Sequence, residues 1–200
     1  MSKQNNSNGY AKEWLTKEEW KKLINQEMSW RNELLLKTTY KGALRISETL
    51  RLKYPMDYQT EENKGYVIIR KQKKKDTDGN YKPETVPVGK DLIKETRRFF
   101  SQKDRDTRYV FSTRQSDQMT RQRVNQIIQD IAEDAGIDKK LGTHTLRRSR
   151  AKHLIDEGMD ISVVSSFLRH ENIKTTMEYL RIAKKHIAER TKEIDEEFNL

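Results

Sequence analysis

The chain has 200 residues, the size of one domain, of which 33% are hydrophobic and 36% charged. Lys and Arg outnumber Asp and Glu by 41 to 31, for a net charge of +10, which favours a polyanionic partner because each neutralised phosphate releases counterions. The absence of cysteine excludes disulfides, thiolate catalysis and thiolate zinc sites; no apolar run reaches the roughly 18 residues of a membrane span, and the polar start MSKQNNSNGYAK is no secretory signal, so the cytoplasm is the expected compartment.

Residues 1–13 read as a polar linker or disordered tail. Thr16 followed by Glu19 is a capping-box pattern, with Leu15 and Trp20 as its hydrophobic staple, and predicts a helix running through Leu23 and Ile24. A second helix is expected from near Glu33, carrying Leu34, Leu35, Leu36, Leu44 and Ile46 toward Leu50; Gly42 inside it marks close packing or a turn. Tyr66 to Ile69 is β-branched and aromatic, and Thr85-Val86-Pro87-Val88 reads as a returning strand. Between them runs a charged hairpin, Lys71 to Glu84, with Asp78-Gly79-Asn80 as turn chemistry. Further helices are expected near 91–102, 120–135, 145–157, 160–169 and 173–190. Gly136 and Gly158 serve as C-terminal stops, and Asp160 and Asn172 as N-caps. The fold class is mainly α with a small antiparallel β-sheet (α+β), and no internal repeat is present.

Three clusters could carry chemistry. His144 and Arg147 are three residues apart and share a helix face; no acidic residue occurs from Gly142 to His153, where Arg147, Arg148, Arg150 and Lys152 crowd together. Arg offers a fixed fork of donors to two phosphate oxygens, although a basic helix face can equally rest in solvent. Arg45, between apolar neighbours, has Glu48 three residues on, a spacing that ordinarily gives a surface ion pair and would also orient a phosphate-binding guanidinium. His170 ends one helix and Tyr179 lies in the next. Most such tyrosines only pack, and a phenol with a pKa of about 10 becomes a nucleophile only where cations stabilise its anion. Arg70, Lys71, Lys73, Lys74 and Lys75 follow a strand directly; if it continues, Lys71, Lys73 and Lys75 share one side.

In this order the segments resemble the tyrosine recombinase (phage integrase) family, from about Leu15 to Ile182. Gly42-Ala43-Leu44-Arg45-Ile46-Ser47-Glu48 resembles the family's first-arginine motif. His144-Thr145-Leu146-Arg147-Arg148 resembles its His-x-x-Arg box, and Leu168-Arg169-His170 with Thr175-Thr176-Met177-Glu178-Tyr179 the segment with its last histidine and tyrosine. Each motif is weak alone; together and in order they are specific. The resemblance implies a tyrosine recombinase catalytic domain over residues 14–183 and a C-terminal helical tail, 184–200, of the kind that packs on a neighbouring protomer. It implies cleavage and rejoining of DNA through a 3′-phosphotyrosyl link made by Tyr179. Arg45 and Arg147 would bind the non-bridging oxygens, with His144 and His170 adding hydrogen bonds. Lys73, with Lys71 as second choice, would protonate the leaving 5′-oxygen. Glu48 would orient Arg45, and Lys71, Lys74, Lys75, Arg148 and Arg150 would support the site or bind DNA. No cofactor or metal is implied. The partners are double-stranded DNA and copies of the same chain, a tetramer at synapsis, with neither membrane nor small-molecule substrate. Such a protein works on intracellular DNA, as a nucleoid-associated or viral or mobile-element protein.

Arg169 stands where the family usually has glycine, and Arg148 where histidine is commoner. The N-terminal core-binding domain that usually forms half of a clamp on DNA is not in these 200 residues; if it is missing, specific DNA binding is expected to be weak. Rival readings are a type IB topoisomerase-like enzyme, a helix-turn-helix DNA reader over Ile161 to Leu180, and an inactive accessory factor. The helix-turn-helix reading leaves the Arg45–Glu48 and His144–Arg147 spacings as coincidence, and an inactive factor is disfavoured because every expected catalytic residue type is present, with only the lysine ambiguous.

Overall fold

Thr16 opens the first helix, α1 (Lys17–Ile24), through the expected reciprocal pair. Its Oγ1 accepts the Glu19 N–H at 3.1 Å, and Glu19 Oε2 accepts the Thr16 N–H at 2.7 Å. Leu15, just before the cap, is fully buried, while Trp20 stacks on Tyr40 with ring centroids 3.9 Å apart. The computed structural model describes residues 14–70, 83–103, 106–180, 192, 195 and 196. Lys71, Lys73, Lys74 and Lys75, the hairpin tip at Asp78-Gly79-Asn80, and the tail beyond Leu180 apart from those three positions lie outside the described residues. The chain divides into two units, Met1–His153 and Leu154–Leu200.

The single helix expected from Glu33 to Leu50 is two: α2 (Trp30–Lys41) and α3 (Ile46–Arg51). Its apolar pattern continues across the break, because Ala43 and Leu44 are fully buried in the turn itself. The turn closes through Ala43 at φ +43°, whose N–H reaches Tyr40 O while that of Leu44 reaches Thr39 O. Gly42 has an ordinary φ of −84°. What it supplies is space, since a Cβ there would sit 2.9 Å from Leu44 Cγ and 3.1 Å from Val88 Cγ1.

A three-stranded antiparallel sheet follows, in the order β1 (Tyr58–Glu61), β2 (Lys64–Ile69), β3 (Glu84–Pro87), with Val67 opposite both Tyr58 and Val86. Strands β2 and β3 match the expected pair. Strand β1 was not foreseen; Gln59, Thr60 and Glu61 are exposed at the sheet edge and carry no apolar alternation. On β2, Gly65, Val67 and Ile69 face inward toward α4 (Lys90–Ser101), which buries Leu92, Ile93 and Thr96. The other side of α4 meets α2, where Trp30 packs edge-on against Phe99 and Lys37 bonds Glu95 at 3.1 Å.

Helix α5 (Arg121–Asp134) is capped by Thr120 and ends at Gly136, φ +64°. Helix α6 (Thr145–Asp156) ends at Gly158, φ +87°. Both glycines are the expected stops. Helix α6 also holds the start of the described residues: Leu15 N–H donates to Ser149 Oγ at 2.8 Å, and His153 Nε2–H donates to Leu15 O at 2.8 Å. His153 Nδ1 accepts the Tyr40 hydroxyl at 2.7 Å. In the second unit, Asp160 caps α7 (Ile161–Phe167) and Asn172 Oδ1 accepts the Lys174 N–H at the start of α8 (Ile173–Leu180), which packs on α7.

Candidate active site

The turn between α2 and α3 positions two arginines. Arg45 is the residue just before α3, and Glu48, in the helix's first turn, grips it twice. Oε2 accepts the Arg45 backbone N–H at 2.7 Å, and Oε1 accepts Nη1 at 2.9 Å. The same carboxylate reaches a second guanidinium, since Arg147 Nη1 lies 4.0 Å from Glu48 Oε2. Arg147 also donates through Nη1 to the carbonyl of Ala43 at 2.6 Å. The left-handed conformation at Ala43 thus turns a main-chain oxygen onto the α6 arginine, two residues before the chain delivers Arg45.

Arg147 is only 2% exposed. A buried guanidinium is strongly disfavoured without acceptors and countercharge; Ala43 O and Glu48 supply both. Arg45, by contrast, keeps 39% of its side chain exposed, so it can still meet a ligand from solvent. His144 lies exposed at the head of α6, and its pKa is held below the ordinary imidazole value. The causes are, first, its partial removal from water, and then the positive charges of Arg121, Arg147, Arg148 and Arg45. The positive charges of four guanidiniums acting on one imidazole make a potential suited to an oxyanion.

Arg148 is half-buried among those charges. Arg150 lies elsewhere on α6, its guanidinium over the Tyr40 ring at 5.4 Å. Two contributors were not foreseen. Ala43 acts through its backbone, which residue type does not announce; Arg121 opens α5, 23 positions before His144, and only tertiary folding brings its charge to the imidazole. The catalytic-lysine candidates Lys73 and Lys71 lie outside the described residues.

In the second unit, His170 follows the end of α7. Arg169 adopts φ +56°, its N–H reaching Ser166 O, and the His170 N–H donates to Ser165 O at 3.1 Å. The arginine in the family's glycine position therefore keeps the turn and takes the left-handed conformation. His170 Nδ1 lies 2.7 Å from Thr176 Oγ1. Tyr179 falls on the last turn of α8, one helical turn beyond Thr176. Among the described residues there is no group of three or more His, Cys, Asp or Glu that could hold a metal ion, and no helix is long and apolar enough to cross a membrane.

Comparison with known proteins gives a consistent picture. The model of the phage integrase family matches residues 13–186. Tyrosine recombinase XerA of Pyrococcus furiosus is 31% identical over 180 residues, covering 88% of this chain and 59% of that protein. Tyrosine recombinase XerD of Caulobacter vibrioides is 30% identical, over 77% of this chain and 50% of that protein. The chain thus spans about half to three fifths of these relatives. Among solved structures, XerA recombinase superposes with a TM-score of 0.75 at 22% identity, over 90% of this chain and 64% of that one. XerH recombinase, in its post-cleavage complex with a palindromic difH substrate, gives 0.74 at 22% identity, over 94% and 55%. At that identity the likeness establishes the fold: mostly helical, with a small antiparallel sheet.

Proposed function

The chain belongs to the phage integrase family, and on that premise we propose that it is the catalytic part of a site-specific DNA recombinase, cutting and rejoining strands through a 3′-phosphotyrosyl intermediate. The observation that carries this reading is the arginine pair. Arg45 and Arg147 come from distant parts of the sequence, share the carboxylate of Glu48, and sit with Arg121 and Arg148 around His144. A surface ion pair would need none of that convergence; a phosphodiester that becomes pentacoordinate uses all of it.

In the proposed reaction the Tyr179 oxygen attacks the scissile phosphorus. The Tyr179–phosphate bond forms as the bond to the 5′-oxygen breaks, and a lysine, Lys73 or alternatively Lys71, gives that oxygen its proton. Arg45 and Arg147 hold the non-bridging oxygens, and His144 and His170 donate to them. In the return step a 5′-hydroxyl attacks the phosphotyrosine and releases the phenol. One phosphodiester replaces another, so bond energy is retained. The partners in this reading are double-stranded DNA and further copies of the chain, a tetramer at synapsis. Its setting is intracellular DNA, on the nucleoid or a mobile or viral element.

The test is covalent trapping on nicked suicide duplexes without added metal. A denaturation-resistant adduct that Tyr179→Phe abolishes supports the reading. Arg147→Ala should abolish the adduct while weakening DNA binding only slightly. Adduct formation by Arg147→Ala at the wild-type rate would remove that residue from the site. A 5′-bridging sulfur substrate, whose leaving group needs no proton, should rescue the variant of whichever lysine is the acid. Relaxation of supercoils without joining of two sites would instead favour a topoisomerase-like activity.

A further inference from the structure

The ring of His170 is held by one hydroxyl, itself bonded to a second, and the proposed chemistry has no direct use for either. Thr176 Oγ1 lies 2.7 Å from Nδ1 and donates to Ser165 Oγ at 3.0 Å. Thr176 is fully buried and Ser165 is 6% exposed. A hydroxyl carries one proton. With that proton directed at Ser165, Thr176 faces Nδ1 as an acceptor, and Nδ1 carries the ring proton. A neutral His170 then presents a bare Nε2, whereas a protonated ring presents Nε2–H, a charge-assisted donor suited to an anionic oxygen.

The three residues come from three local structures. Ser165 is in α7, His170 in the turn that ends it, and Thr176 in α8, one helical turn before Tyr179. The backbone of His170 is tied to α7 through Ser165 O and its ring to α8 through Thr176. The α8 turn that fixes the imidazole therefore leads directly to Tyr179.

We propose that Thr176, backed by Ser165, is a positioning residue for His170. It holds the ring through Nδ1 and leaves Nε2–H of the protonated ring to donate to the scissile phosphate. This rests on the assignment of His170 to the reaction described above. Deleting the supporting bond to a ligand histidine commonly lowers activity by about 10- to 100-fold where that has been tested at metal sites, and an oxyanion-binding histidine should respond at the lower end.

Two readouts on the 200-residue chain test this: ¹⁵N shifts of the His170 imidazole at a pH where the ring is neutral, and the rate of Tyr179-dependent adduct formation. Wild type should show a protonated Nδ1 and a bare Nε2. Thr176→Val removes the acceptor and should shift the ring toward the Nε2–H tautomer and slow adduct formation by about tenfold. Thr176→Ser should restore both. Ser165→Ala gives an independent arm should the valine variant fold poorly. Without Ser165 as its acceptor, the Thr176 hydroxyl turns to donate to Nδ1, so this variant too should switch to Nε2–H. A wild-type ring already in the Nε2–H form would overturn the proposal, as would a folded Thr176→Val that forms adduct at the wild-type rate. If wild type forms no adduct even with a core-binding domain supplied, the recombinase reading fails, while the tautomer arm still decides whether Thr176 holds the ring as stated.

Discussion

Helices α2, α5, α6 and α7 end in the same two-bond motif, with a left-handed residue after the cap: Ala43, Gly136, Gly158 and Arg169. The two glycines take that conformation without a Cβ clash; Ala43 and Arg169 do not. The two strained caps are the ones beside residues assigned to the site, one presenting its carbonyl to Arg147 and leading to Arg45, the other preceding His170. Backbone strain collects where function over-determines geometry. Ala43→Gly also gives up a buried methyl worth about 0.8 kcal/mol and should be close to neutral, whereas Arg169→Gly should stabilise the fold by about 0.5–1 kcal/mol, once glycine's greater freedom in the unfolded chain is subtracted. That is a rise in melting temperature of about 1–4 °C, whereas the β-branched Arg169→Val should lower it; thermal melts of the three variants decide. His144 gives a pH test with a definite sign. Its folded pKa lies below the ordinary 6.5, so as pH falls below that value the unfolded chain takes up the proton first. Stability present above it is then lost progressively down to the folded pKa. His144→Gln should flatten this acid-side loss in urea titrations, and an equal loss in the variant would assign it to other groups. The Arg45–Glu48 and His144–Arg147 pairs were legible because each is a three-residue spacing from the residue before a helix into its first turn. The part played by Ala43 was not, because a carbonyl's direction depends on φ and ψ.

Helix starts were legible where a short polar side chain precedes the apolar pattern. Thr16, Asp160 and Asn172 cap as expected. The break between α2 and α3 was less so. Buried Ala43 and Leu44 continue the apolar pattern through the turn, and periodicity does not distinguish a buried turn from a buried helix. Strand β1 carries almost no local signal and exists because β2 offers it an edge to pair with. That sheet depends on one close approach. A Cβ on Gly65 would fall 2.5 Å from Gly89 O and 2.7 Å from Ile93 Cγ1, and Gly65 O accepts the Val88 and Gly89 N–H groups at 2.8 and 3.1 Å. A main-chain clash cannot be relieved by a rotamer change, so Gly65→Ala should cost about 2–3 kcal/mol, near the top of the range for overpacking. Gly42→Ala, opposed by the movable side chains of Leu44 and Val88, should cost less. Chemical denaturation of the two variants tests the order, and a Gly42→Ala penalty larger than that of Gly65→Ala would show that the α2–α3 turn, not the sheet, is the tighter contact.

At the scale of the whole chain the dominant feature is a surplus of ten positive charges, concentrated at the site by Arg45, Arg121, Arg147 and Arg148 around one histidine. Phosphate contacts position a protein on DNA without reading sequence, and the pieces that could read bases are not set by this charge. Binding to duplex DNA by these 200 residues should therefore be electrostatic first: log K falling linearly with log salt, with a slope of about −0.9 for each phosphate neutralised. If the basic surface engages about six phosphates, affinity should drop roughly 10³-fold between about 50 and 200 mM salt. Arg121→Ala should reduce the slope by about one if Arg121 contacts a phosphate directly, and leave it unchanged if it acts only on the titration of His144. Unrelated duplexes of equal length should compete almost equally. Fluorescence anisotropy across a salt series measures all three quantities. A shallow slope with strong preference for one sequence would mean that base contacts, not the arginine cluster, dominate binding by this chain.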